Sequence, residues 1–256
     1  MTDTFLFSRE GDVLVPAQRT RGYWRSDSID GRAIVAALGH EIERRHGAAD
    51  LWPARLTVDM HRLPPREPLH IETRVVREGG RLRLIEAILT LHGDEYARAT
   101  CQLLRERPPA PGQVWPGLPP WQVPAPDDLT SLPDEHHMRL AEWRLIAGTL
   151  GAVGPRRVWI RPTVETVAGE PLTPFSRVAA IADTASPWVH AADVGIGYIN
   201  TDVTLHLYRP PDGEWIGLDA LLHDEAAGRA IGTCRVYDQS GPIGLASTTA
   251  VANTRS

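Results

Sequence analysis

Two distant stretches of this chain read alike: Thr57 to Pro65 (TVDMHRLPP) and Thr204 to Pro211 (TLHLYRPP). In each, an alternating strand led by threonine runs into arginine and then proline. The order of elements around them also repeats. In the first half the pattern predicts a helix from about Asp30 to Arg45, capped by Ser26, Asp27 or Ser28, with Ile34, Leu38 and Ile42 on one face. Strand patterns follow at Leu56, Val58 and Met60, at Ile71, Thr73 and Val75, from Leu82 to Leu91, and from Tyr96 to Leu104. Glu78-Gly79-Gly80 and His92-Gly93-Asp94 supply turns. In the second half Thr173 caps and Pro174 opens a helix that Pro187 is expected to end. Strands are then expected at Val203, Leu205 and Leu207, from Trp215 to Leu222, from Ala230 to Tyr237 and from Leu245 to Val251. The turns there are Pro211-Asp212-Gly213 and Gln239-Ser240-Gly241.

A helix followed by four or five antiparallel strands, occurring twice, limits the packing solutions. A long helix buries its apolar face by lying across a curled antiparallel sheet. A second copy can then pair edge to edge with the first and cover the open edges. The fold class expected is therefore α+β, with two curled antiparallel sheets each wrapping a long helix. Prolines divide the chain: Pro108, Pro109, Pro111, Pro116, Pro119, Pro120, Pro124 and Pro126 exclude a helix or central strand between Arg105 and Pro133. The expected organisation is an N-terminal domain over 1–106, a Pro-rich linker over 107–135 and a C-terminal domain over 136–256, with Trp115 and Trp121 anchoring the linker.

Composition removes several functions. Lysine is absent, so all 27 basic side chains are arginines, which excludes Schiff-base chemistry, a P-loop lysine and a kinase lysine. The net charge of −5 and the lack of a basic tract argue against nucleic-acid binding. No apolar run is long enough to span a bilayer and no signal core follows Met1, so a cytoplasmic protein without membrane contact is expected. Cys101 and Cys234 lie in strand-like runs and read as buried free thiols. His40 and His46 lack the i,i+4 spacing of a zinc helix, and His136-His137 have no ligand partner nearby, so no metal is expected. Gly195-Ile196-Gly197 reads as a loop, not a dinucleotide site, and no G-x-S-x-G elbow is present.

Several local motifs, taken in order, resemble the double hot-dog acyl-CoA thioesterases, especially the bacterial acyl-CoA thioesterase II type and its actinobacterial relatives. Ile29 to Leu38 resembles the start of the family's first hot-dog helix, with Asp30 where its first glycine stands. His61-Arg62-Leu63-Pro64 and Tyr208-Arg209-Pro210 resemble its Arg-Pro corners, and Ala182 to Ser186 its Asp-containing second helix. Ile199 to His206 is similar to the strand that follows, and Gly213-Glu214-Trp215 fits as well.

The resemblance implies a tandem hot-dog fold and thioester hydrolysis without a covalent enzyme intermediate, cofactor or metal. It also implies acyl-CoA as the partner and a homo-oligomer. In that family an Asp, a hydroxyl residue and a Gln orient a water. Those positions fall on Asp183, on Asn200 with Thr201 beside it, and on Ala250, which cannot do the Gln's work. Gly31 and Arg32, at the helix start, join Ala250 as expected substrate-binding positions.

The residues themselves leave alternatives open. Burial would raise the pKa of Asp183 and suit it to act as base. On a helical wheel, however, it lies with Ser176 and Ala179 away from the stripe of Val178, Ile181, Ala182 and Ala185, where a solvated acid is expected. Asn200 and Thr201 also suit a strand start or turn, and Asp30 a helix N-terminus. Backbone N–H groups near Gly31 or Pro174 could polarise a carbonyl. Trp24, Trp188 and Trp215 are expected along the walls of an acyl channel, or in the core and rim. Two other functions remain: a scaffold that binds acyl-CoA without cleaving it, and an enoyl-CoA hydratase.

Overall fold

The computed structural model describes residues 4–115, 123–132 and 140–253. A hairpin comes first, β1 (Phe5–Glu10) and β2 (Val13–Pro16), then α1 (Gly31–His46). The strands β3 (Leu51–Met60), β4 (Leu69–Glu78), β5 (Leu82–Leu91) and β6 (Asp94–Arg105) complete the first half. The second half opens with β7 (Ala141–Ala147), β8 (Arg157–Pro162) and β9 (Glu165–Val167), followed by α2 (Pro174–Ala182) and α3 (Ala185–His190). Short strands β10 (Ala191–Ala192), β11 (Gly195–Ile196) and β12 (Tyr198–Asn200) lead into β13 (Asp202–Leu207), β14 (Ile216–Ala226), β15 (Arg229–Asp238) and β16 (Gly241–Ala252).

One sheet carries most of these strands, in the order β7-β8-β14-β15-β16-β13-β3-β6-β5-β4-β2-β1-β9. Read outward from the middle, one side runs β3, β6, β5, β4, β2 and the other β13, β16, β15, β14, β8, the same order in chain terms. The middle is the antiparallel pair β3–β13, where the two similar sequence stretches lie side by side. Thr57 is in register with Thr204, and the Thr204 hydroxyl donates to that of Thr57 at 3.2 Å. Asp59 opposite Asp202 and Arg55 opposite His206 exchange under the same alignment, so a local two-fold axis passes through the threonine pair. The halves also meet where β1 pairs in parallel with β9. There Arg9 donates to both Glu41 (2.5 Å) and Glu170 (2.9 Å), and Glu170 bonds His40 at 2.7 Å.

The strands of the first half fall where alternation puts them. The hairpin β1–β2 was not expected, although Gly11-Asp12 between two apolar alternating runs is its signal. Each half of the chain thus starts with an antiparallel strand pair rather than with the helix. The cap of α1 is Asp30, not Ser26, Asp27 or Ser28: its carboxylate accepts from the Arg32 N–H at 3.0 Å. Every residue from Ala33 to Ile42 is buried, because α1 has the sheet on one side and α2 on the other. Pro187 does not end the second helix. The break comes at Asp183 and Thr184, and Pro187 sits in the first turn of α3, where a missing N–H costs no helical bond. Thr173 caps α2 as expected, in a reciprocal capping box with Ser176.

Gly195-Ile196 is not simply loop but pairs with Ala191-Ala192. A turn at Ala227-Gly228 escaped the sequence because alanine rarely takes the positive φ of 52° seen there. Trp115 does not anchor the linker: it is 83% exposed. Val123 and Leu129 instead pack on the cluster of Trp159, Trp215 and Tyr237, and the Pro124 carbonyl accepts from the Trp159 indole at 2.9 Å. Trp121 and His136-His137 lie outside the described residues. Cys101 and Cys234 are free and buried. No helix among the described residues is long and apolar enough to cross a membrane.

Candidate active site

The two helices meet through small residues. Ala179 and Asp183, on the side of α2 that the wheel turns away from its apolar stripe, face α1 rather than solvent, and Ser176 on that side is buried in the cap with Thr173. A Cβ added at Gly39 would stand 2.9 Å from the Ala179 methyl, and one at Gly31 would stand 2.5 Å from Oδ2 of Asp183. Glycine at 31 is therefore what lets the Asp183 carboxylate lie against the first turn of α1. Asp183 ends α2 as its C-cap and is 7% exposed.

Asn200, the last residue of β12, reaches the same carboxylate: its amide donates to Asp183 Oδ1 at 2.8 Å and to the Asp202 carbonyl at 3.1 Å. Both partners are acceptors, which fixes the orientation of the amide. Burial pushes the Asp183 carboxyl up, to about 6. The Asn200 hydrogen bond opposes that rise, the charge of Asp30 adds to it, and Arg32 opposes it.

A cavity of about 270 Å³ surrounds this group and is lined by Asp30, Gly31, Arg32, Asp183, Asn200 and Thr201 among others. Five of the six expected site positions therefore share one cavity. The hydrogen bonds seen among the described residues run to different partners. Thr201 donates its hydroxyl to the Thr249 carbonyl at 3.3 Å. Arg32 is held by Asp30, Nε to Oδ1 at 2.9 Å. Ala250 does not line the cavity. It sits in β16 directly opposite Asn200 of β12, fully buried, and brings only a methyl group.

Gly31, the first residue of α1, lines the cavity. Arg32 N–H goes to the Asp30 side chain, and Ala33 and Ile34 N–H go to the Asp30 carbonyl, which leaves the Gly31 amide without a partner in that turn. Pro174 is elsewhere: Thr173, beside it, bonds Glu43 near the far end of α1. Trp24 and Trp188 line the cavity, whereas Trp215 packs its ring against the guanidinium groups of Arg144 and Arg161 in the separate cluster with Trp159. The sequence reading missed Trp143, Tyr23, Tyr198, Thr184 and Ser186 as wall residues. Trp143 follows the proline-rich stretch, where no strand had been expected, so nothing gave its side chain a direction. Among the described residues no cluster of His, Cys, Asp and Glu is arranged to hold a metal ion.

Solved structures share this architecture along nearly the whole chain. A hot-dog protein of unknown function from Alicyclobacillus acidocaldarius aligns with a TM-score of 0.76 at 17% identity, covering 99% of this chain and 98% of its own. The tesB protein of Mycobacterium avium subs paratuberculosis aligns at 0.71 and 18% identity, covering 98% and 97%. The acyl-CoA thioesterase II TesB2 of Mycobacterium marinum aligns at 0.67 and 17% identity, covering 96% and 95%. At these identities the likeness establishes the hot-dog fold. No protein of curated function matches by sequence. The family model of the acyl-CoA thioesterase C-terminal domain does match, over residues 116–252, and with more than half of its length inside that match the chain belongs to the acyl-CoA thioesterase family.

Proposed function

We propose that the protein is a tandem, double hot-dog acyl-CoA thioesterase that hydrolyses acyl-CoA to free acid and CoA by means of an Asp183-oriented water. The tandem reading draws on the equal strand order on either side of β3–β13 and on the local two-fold axis at Thr57 and Thr204. In it, the halves are 1–106 and 136–256, joined by 107–135.

One observation carries the activity: a buried carboxylate, held by an amide and pressed on a helix N-terminus, opens into a cavity whose inner walls are apolar. Asn200 occupies Oδ1 of Asp183 and leaves Oδ2 to take a proton from water. The water oxygen adds to the thioester carbon, and the oxyanion that forms is met by the Gly31 N–H at the positive end of α1. The C–S bond then breaks, the thiolate takes the proton held on Asp183, and acid and CoA leave. Thr201 and Arg32 border the entrance as substrate contacts.

A binding-only reading rests on Ala250, whose methyl group supplies no second polar anchor for the water. The experiment is thiol release from a panel of acyl-CoAs by wild type and Asp183→Ala. Hydrolysis that falls by at least about 10²-fold in the variant supports the proposal. Equal turnover by both removes Asp183 from the mechanism, and binding of a non-hydrolysable acyl-CoA analogue without any turnover favours the binding protein.

A further inference from the structure

We infer that this cavity accepts only short acyl groups, and that Trp188 and Trp143 set the limit. The inference rests on the acyl-CoA reading of the site and adds the class of acyl group. Exposure gives the cavity a direction. Its walls at Tyr23, His61, Arg62 and Thr201 are exposed, whereas those at Ile29, Ile34, Trp143 and Trp188 are buried. Asp183 and Gly31 lie between these two groups, since Ile34 is one helical turn beyond Gly31 on α1. A thioester placed at Asp183 therefore sends its CoA out past Arg62 and its acyl chain inward against the tryptophans.

Those tryptophans close the inner end. Their ring centroids are 6.0 Å apart, and they are 5% and 1% exposed. The volume of about 270 Å³ falls at the small end for ligand cavities and must also house the carbonyl and the water. An acyl group on the order of eight carbons or fewer fills what remains. The indole of Trp188 shows that it is ring volume that is being used. Its N–H is buried and has no hydrogen-bond partner among the described residues, an arrangement that costs stability and that phenylalanine would avoid.

The test uses the intact protein, acyl-CoAs from acetyl to palmitoyl, and the matching S-alkyl-CoA thioethers, which cannot be hydrolysed. For wild type, kcat/KM and thioether affinity should both peak by octanoyl length and fall at least about tenfold at palmitoyl length. Trp188→Phe, which also removes the orphan donor, should move the peak by about two carbons, and Trp143→Phe provides a second, independent enlargement. Palmitoyl and hexanoyl compounds handled equally by wild type overturn the inference, as does a length profile unchanged in both variants. If no acyl-CoA turns over but thioether binding is still length-limited, the hydrolysis proposal falls and this inference stands. Absence of binding at every length overturns both.

Discussion

At the residue scale the protein keeps a carboxylate where water cannot solvate it well. Asp183 titrates at about 6 in the folded chain, above the ordinary carboxylate value near 4, chiefly because burial disfavours the charged form. The raised value makes folding favour the protonated acid. That contribution is fully present below about pH 4 and is lost as the pH rises through about 6. Asp183→Asn, which keeps an acceptor for the Asn200 amide, escapes the loss. Denaturant titrations should show the stability of the variant relative to wild type improving between pH 4 and pH 7, by about 2 kcal/mol. A difference that does not change with pH would show that Asp183 is solvated. Wild-type kcat/KM should rise with pH through the same interval, as expected for a base that must first lose its proton. The helical wheel misjudged this residue because it treats α2 as lying on one surface. With α1 on its other side, α2 has two buried faces, and the one that looks polar is the one made of small residues.

At the scale of elements the contact between α1 and α2 decides where the site is. Glycine in the middle of a helix costs about 1 kcal/mol relative to alanine, so Gly39→Ala would strengthen α1 in isolation. In the protein the new methyl would meet Ala179 at 2.9 Å and Leu56 at 3.4 Å, and overpacking of that kind costs about 1–3 kcal/mol. The second effect wins: Gly39→Ala should lower stability in urea by about 1 kcal/mol, and Ala179→Gly in the same chain should relieve the clash. A stabilised Gly39→Ala protein would mean that the helices are not in close contact there. The break between α2 and α3 belongs to this scale too. It places Asp183 at the end of one helix and Thr184 and Ser186 at the start of the next, all along the cavity.

At the scale of the molecule the halves are bound by β3–β13, by β1–β9 with its Arg9 and Glu170 bonds, and by α1 against α2. None of these needs the covalent connection. Val114 and Trp115 are among the most exposed apolar residues, so elastase has an open target after Val114, where the next residue is not proline. The nicked protein is expected to elute from a sizing column at the position of the uncut chain and to separate only in denaturant. Fragments that separate without denaturant would show that the proline-rich stretch holds the halves together.

The amino-acid order was enough for the strands β3 to β6 and β13 to β16, because alternation writes a half-buried strand directly into the chain. It also suggested a doubled chain, since Thr57 to Pro65 and Thr204 to Pro211 are similar as text. It located α1 and the start of α2, through apolar spacing and the Thr173-Pro174 pair, but ran α2 and α3 together. The rest was decided by three-dimensional packing. Asp30 caps α1 in place of Ser26, Asp27 or Ser28, and its backbone N–H is bonded to the Thr20 carbonyl, which fixes the entry of α1. Whether Asp183 faced water or a cavity depended on a second helix more than a hundred residues away. The wall formed by Trp143 and Trp188 depended on strand pairings that no local pattern announces. A sequence records which face of an element is apolar, but burial of a polar group is settled by what lies across from it, and that is a property of the assembled fold.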